Sequence, residues 1–362
     1  MNNTIQNSTI TDDLKYVMTL DKLTEYLSCL ICLPGALCNA ILIYLIWKRT
    51  PIQMRSYAIY ILNFALFDFA TCIISFFSCQ QVIFSDFSLV YIFHGPCKYV
   101  SPWFCYFCHC FMCHALAHSQ WILLGSFIYR YRVLTGETPT AKDLIRNSVA
   151  LYSMSLCFLL VYVFDNSDSD LLFQILTRVH PEYHYDDESI WKKSIVVSGN
   201  ISAFAPITLI SILYMTIPCV PIYCAILYFR HNTRVILNNP HINLSPTAKS
   251  NHVKLIRALT VQAGIPIFWL VASGIFTMSQ FGIIGGPIPE NITFRLMDCI
   301  PLISPIVTII FVQPYREGLL KVLLKNSGLF VPNIIGSSIV DQTVAVTSVF
   351  GPKVTAFVQT QL

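Results

Sequence analysis

Seven stretches of the chain are apolar for long enough to matter in lipid, where a helix needs roughly 20 mostly apolar residues to cross the hydrocarbon core. Residues 27–47 carry no charge and end at Lys48 and Arg49. A second run, 57–80, is interrupted by Asn63 and Asp68, and a third, about 99–129, stops abruptly at Arg130 and Arg132. The fourth covers 147–164, the fifth 203–229 with Pro206, Pro218 and Pro221, and the sixth 258–281 with Pro266. The seventh, 296–313, is closed by Gln313, Pro314, Tyr315 and Arg316. The pattern predicts an all-α membrane protein, a seven-transmembrane helix bundle. Residues 317–325 set apolar positions among two lysines, which suits a short amphipathic helix on the membrane surface after the seventh span. The organisation expected is an N-terminal segment 1–26, a seven-span domain 27–316 and a tail 317–362. Neither a repeat nor a pair of matched halves of the transporter kind is visible.

Charge placement gives the orientation. The first twenty residues lack the basic start and apolar block of a cleavable signal, so the first span is expected to serve as the targeting signal. With the N-terminus outside, 16 of the 23 basic residues fall on the inner side and 7 on the outer. Counting 4 acids inside and 14 outside, the faces carry +12 and −7, and the Lys and Arg bias favours this orientation. Asn2, Asn7 and Asn291 then head outer sequons and are glycosylation candidates; Asn200 lies close to the membrane, and Asn243 falls inside. The composition, 55% apolar and 12% charged, excludes ordinary soluble domains and disorder alike. A formal charge of +4 is too mild for a nucleic-acid binder. Most of the 14 cysteines lie inside apolar runs and read as small helix-packing side chains.

Three features could carry chemistry. The third span holds two tandem Cys-x-x-Cys-His matches, Cys105, Cys108, His109 and Cys110, Cys113, His114. A helix spreads these side chains around its circumference, so they cannot converge on a tetrahedral metal without ligands from elsewhere, and no metal or cofactor is expected. His109, His114 and His118 are then packing residues or pocket linings, since ionisable groups within a membrane face the bundle interior or a watery cavity. Asp68 is read as the one acid left in the membrane; Asn63 or a residue of the third or seventh helix would partner it, as a structural hub or as a cation-sensitive internal switch. Arg130 stands at the inner end of the third span, as an anchor or as a docking group. No nucleophile elbow, phosphate loop or metal triad marks an enzyme.

Four stretches resemble the seven-helix receptors coupled to G proteins, and more narrowly the nematode serpentine chemoreceptors of class delta (Srd). They are TPIQMRSYAIYILNFALFDF, HALAHSQWILLGSFIYRYRVL, the Pro-rich fifth span and PLISPIVTIIFVQPYREGLL, within a match of roughly 25–325. The resemblance implies a plasma-membrane, multi-pass chemosensory receptor of sensory neurons, with a small-molecule ligand in the outer half of the bundle and a heterotrimeric G protein at its inner face. It implies coupling residues Arg130, Tyr131, Tyr315 and Arg316, with Tyr129 where many such receptors carry an acid, and so no carboxylate lock on Arg130. Pro305 matches the seventh-helix proline, and Ser304 stands where Asn or Asp is common. The prolines at 206, 218, 221, 266, 301 and 305 are pivots for a change of helix arrangement. Candidate pocket residues are His109, Ser119 and Gln262. Cys97 resembles a cysteine that usually bridges to the second outer loop, but that loop has none, so Cys97 is free or pairs with Cys29, Cys79 or Cys299. A ligand-gated channel or a small-molecule transporter is the alternative; a retinal-binding opsin fails because the seventh span has no lysine.

Overall fold

A computed structural model describes residues 2–326 except 86, 138, 188–190, 192–194, 239–252, 254, 255, 257 and 258; the side chains of 2–13, 53 and 324–326 also lie outside the described set. The chain divides into two compact units, Met1–Gly318 and Leu319–Leu362. The first is a helical bundle with a small sheet over one end, called the outer end here after the charge bias.

The first helix, α1 (Asn2–Arg49), runs straight through the segment assigned by sequence to a separate N-terminus. Val17, Asp21 and Thr24 are buried on this extension, so it is a packed part of the fold. Helix α2 (Arg55–Ser78) ends at Cys79, which takes the left-handed conformation and turns the chain into a strand. Strands β1 (Gln80–Ser85) and β2 (Ser88–Phe93) form an antiparallel hairpin, and β3 (Val196–Asn200) pairs antiparallel with β2. This sheet is an addition to the helices expected. Successive side chains on a strand point to opposite faces, and here both faces are covered. Val82, Leu89, Tyr91 and Phe93 join the bundle core, whereas Ile83, Val90, Ile92 and Val197 join an outer core with Val17, Leu172, Leu176 and Trp191.

Helix α3 (Pro102–Leu134) is capped by Ser101, whose Oγ accepts from the Phe104 N–H at 3.0 Å, and it continues beyond the expected end so that Arg130 and Arg132 lie within it. Among the described residues six helices are long and apolar enough to span a membrane, by length and composition alone. Helix α3, diluted by its histidines, glutamine and arginines, is the seventh by position, packed between α2, α4 and the fifth span. Helix α4 (Ala141–Tyr162) starts with a Thr140–Asp143 capping box, earlier than hydropathy placed it. The outer connection after it folds into α5 (Ser169–Val179), whose buried Leu172 and Leu176 roof the sheet, before returning as β3.

The fifth span, Pro206–Asn238, is broken ahead of Pro218 into α6 (Pro206–Thr216) and α7 (Cys219–Asn238). Pro218 has no N–H to continue the ladder. The sixth span, Leu259–Gln280, contains a turn at 263–266 before α8 (Ile267–Gln280). Helix α9 (Pro287–Phe311) starts well before residue 296 and keeps Pro301 and Pro305 inside it. The freed backbone at Pro301 is used, since the Asn39 side chain on α1 donates to the Pro301 carbonyl at 2.9 Å. Helix α10 (Gln313–Asn326) includes the expected amphipathic segment.

Candidate functional site

At the inner end of α3, Arg130 is 5% exposed and its guanidinium carbon lies 3.7 Å from the centroid of the Tyr57 ring and 5.8 Å from that of Tyr129. The two rings stack with centroids 6.0 Å apart. A cation desolvated over an aromatic face gains about 2 kcal/mol, so this tyrosine cage takes the place of the missing carboxylate. Among the described residues Arg130 has no acidic partner, and its Nε and one terminal nitrogen are buried without hydrogen-bond acceptors. Tyr315 is fully buried near the same group, its hydroxyl 3.1 Å from Thr50 Oγ1. Of the four coupling candidates, Arg130 and Tyr315 therefore converge. Tyr131 instead packs on Phe229 of α7 at 5.5 Å, and Arg316 donates to the Ile310 carbonyl at 3.4 Å, at the corner between α9 and α10. Beside the cage opens a polar cleft of about 450 Å³, bounded by Tyr60, Tyr129, Arg132 and Arg146.

In the middle of the bundle, Asp68 is 2% exposed and one carboxylate oxygen has no hydrogen-bond partner. It lines a cavity of about 40 Å³ with Ser119, Gln262 and Ser304. A single water needs roughly 10–15 Å³ on this measure, so the space suits a few waters, or a small cation on one carboxylate and two hydroxyls, and is too small for an organic ligand. Gln262 donates to Thr308 Oγ1 at 2.7 Å and ties the sixth span to the seventh. Asn63 does not partner Asp68: its carbonyl oxygen accepts from His118 Nε2 at 3.1 Å, and His118 Nδ1 lies 3.4 Å from Ser155 Oγ. This bridge runs from α2 through α3 to α4. Asp298 is a second membrane-buried acid, beyond the one read from sequence; it is 1% exposed and 3.1 Å from Arg295, which also donates to the Gln80 carbonyl at 3.1 Å.

At the outer end, His109 is buried against Gln80 and Tyr91 of the sheet and does not line the cavity that Ser119 and Gln262 share. Its Nδ1 donates to Gln80 Oε1 at 3.0 Å and its ring lies 4.1 Å from that of Tyr91. The tandem Cys/His motif is divided: Cys105 is disulfide-bonded to Cys97, a pairing outside the alternatives read from sequence. It holds the 3-10 turn Pro96–Tyr99 against the first turn of α3. Among the described residues no group of three or more His, Cys, Asp or Glu side chains could hold a metal. Asn291 is 3% exposed, and its amide donates to the Pro287 carbonyl at 3.0 Å and reaches Asp21 Oδ1 at 3.4 Å, which leaves a glycan no room in the folded chain. Asn2 and Asn7 fall where only the helical backbone is described.

The outer cap is fastened by ionisable groups. His180, at the end of α5, faces Glu182 through Nδ1 and Glu290 of α9 through Nε2, each at 2.9 Å. Burial opposes protonation of His180, but the two carboxylates prevail and hold its pKa above the ordinary value. His94, after β2, shows the opposite: burial, aided by Lys98 and Arg295, pushes it down to about 3, so it stays neutral beside Gln81.

Comparison with known proteins agrees with this geometry. Residues 24–321 match the family model described as the serpentine type 7TM GPCR chemoreceptor Srd. The chain is 56% identical over 315 residues to serpentine receptor class delta-1 of Caenorhabditis elegans, covering 87% of this chain and 85% of that one. It is 43% identical to serpentine receptor class delta-3 of the same organism, over 86% of this chain and 90% of the relative. Its fold is similar to that of squid rhodopsin, with a TM-score of 0.62 at 13% identity, covering 86% of this chain and 89% of the rhodopsin. A bundle of seven helices, a buried arginine at the inner end of the third and a match over nearly the whole span region place the chain in the Srd family of serpentine seven-transmembrane chemoreceptors.

Proposed function

We propose that the protein is a plasma-membrane chemosensory receptor of sensory neurons, N-terminus outside, that passes the binding of a small molecule to a heterotrimeric G protein. The observation that carries this reading is Arg130, buried on a tyrosine ring at the inner end of α3 with unpartnered N–H groups. Those donors are poised for backbone carbonyls of a cytoplasmic partner once the cage opens. In the resting arrangement Tyr57 and Tyr129 hold the guanidinium, and Tyr131 against Phe229 keeps the third and fifth spans together. Ligand acts only through its differential affinity for the resting and signalling arrangements. Asp68, with Ser119 and Ser304 around a cavity of about 40 Å³, is the internal polar switch between the ligand half and the coupling half. Replacing Arg130 with Ala is expected to abolish ligand-evoked nucleotide exchange on a co-expressed G protein while leaving surface expression intact. Retained signalling in R130A would refute the assignment of the coupling site.

A further inference from the structure

The outer end of the bundle is sealed. Val82, Ile83, Val90, Ile92 and Phe93 of the sheet are 0% exposed, with a second core packed above them. The side of the bundle is open. Helices α7 and α8 of the fifth and sixth spans scarcely touch, since α7 packs along α3 and α8 along α9. Between them lies a cavity of about 150 Å³, walled by Leu123, Ile222, Ile226 and Trp269. Its rim faces the surroundings: Val220 is 65% exposed, Leu270 46%, and Cys224 is exposed as well. In a membrane-spanning chain those surroundings are acyl chains.

One poorly satisfied donor lines this space. The Trp269 side chain is 4% exposed, and its buried indole N–H has no well-formed hydrogen bond, only the weakly accepting thiol of Cys219 nearby. Trp269, Gln120, Leu123 and Pro266 also line the Asp68 cavity, so the two spaces share a wall. Volume sets the occupant. An apolar protein cavity of about 150 Å³ stays dry and takes a molecule the size of benzene.

We propose that this cavity is a binding site for a small, apolar, volatile molecule of about six to ten non-hydrogen atoms with one hydrogen-bond acceptor, reached from the bilayer between the fifth and sixth spans. The hydrocarbon body displaces nothing well ordered, and the acceptor meets the Trp269 N–H, whose desolvation the Cys219 thiol offsets only weakly. Apolar molecules concentrate in lipid, so lateral entry bypasses the sealed cap. A molecule seated there keeps the sixth span apart from the third, next to the break at Pro266 and the wall shared with Asp68. The proposal rests on the receptor reading for its physiological meaning but not for the site.

The test uses the full-length chain in lipid nanodiscs, with fluorine NMR line broadening of two probes of equal heavy-atom count, 4-fluoroacetophenone and 1-fluoro-4-isopropylbenzene. Concentrations are referred to the bilayer, and empty nanodiscs give the background. Both probes should bind saturably, the ketone about three- to tenfold more tightly for its extra hydrogen bond. W269F should bring the two affinities within about twofold. L123W should abolish binding of both by filling the cavity. V220W, at the exposed rim where folding is not at stake, should at least slow exchange of both. Broadening no greater than in empty nanodiscs, equal affinities in the wild type, or binding untouched by both L123W and V220W would overturn the proposal. No G protein is present, so failure here with odorant-evoked signalling intact removes this pocket alone. Saturable binding with no signalling from any ligand removes the receptor reading instead.

Discussion

Replacing Tyr57 by leucine removes the aromatic face on which Arg130 rests, 3.7 Å from its centroid, while keeping much of the buried volume. Alanine would confound the result, since emptying an aromatic site costs about 3–5 kcal/mol of stability through the cavity alone. Phenylalanine keeps the ring and loses only the hydroxyl that Tyr57 turns toward Arg130. A desolvated cation–π contact contributes about 2 kcal/mol, which is roughly a thirtyfold change in an equilibrium between two arrangements. If the signalling arrangement is populated at about 1% in the resting receptor, within the usual range for a minor state, Y57L should raise it to roughly a quarter. Basal nucleotide exchange on a co-expressed G protein, normalised to surface expression, reads this directly. Y57L should raise basal exchange severalfold or more, Y57F much less, and R130A should lower it. Unchanged basal exchange in Y57L at normal surface level would refute the cage as the resting restraint on Arg130.

Three other outcomes follow from the outer end. Mass mapping should find Cys97 and Cys105 resistant to alkylation until reduction; alkylation of Cys97 in the unreduced, denatured chain would refute the pairing. The folded-state pKa of His180 is raised, so the latch to Glu182 and Glu290 contributes stability that is fully present below about pH 6.5 and is lost as pH rises through the folded value. Hydrogen-exchange protection of α5 should therefore fall as pH rises from 6 to 9, after correction for intrinsic rates, and an identical fall in H180Q would exclude His180 as its source. Gly199 has φ 146°, and a Cβ there would overlap the Leu89 carbonyl oxygen, so G199A should cost at least about 2 kcal/mol and lower surface expression; wild-type thermal stability would contradict the β2–β3 register.

The spans were legible because lipid imposes a length and an apolarity that few other structures share. Their ends were less so. The seventh helix starts earlier than hydropathy allows because Arg295 and Asp298 neutralise each other one turn apart, which a sum over single residues scores as two separate costs. The sheet escaped because β2, SLVYIF, is buried on both faces and shows no polar alternation. Arg130 could be picked out from FIYRYRVL, but its partner Tyr57 lies in another helix, and only the fold brings them together. Asn63 was a reasonable partner for Asp68 along one helix, yet the side chain turns to His118 on α3. Ser119 and Gln262, on different helices, line one cavity of about 40 Å³ beside Asp68, whereas His109 lies apart from it, against Gln80 and Tyr91.

The short bridge between Cys97 and Cys105 has a mechanical consequence. It spends the outer-end cysteine of the third helix on a local loop, so the long connection carrying α5 and β3 has no covalent tether to the bundle. What holds it is a row of backbone hydrogen bonds to β2, the apolar roof of Leu172 and Leu176, and the His180 latch. Under a pulling force such an attachment gives way bond by bond, like a zipper rather than a rivet. The attachment of this outer connection is therefore not covalent, and its strength is set by pH and temperature instead of by thiol chemistry.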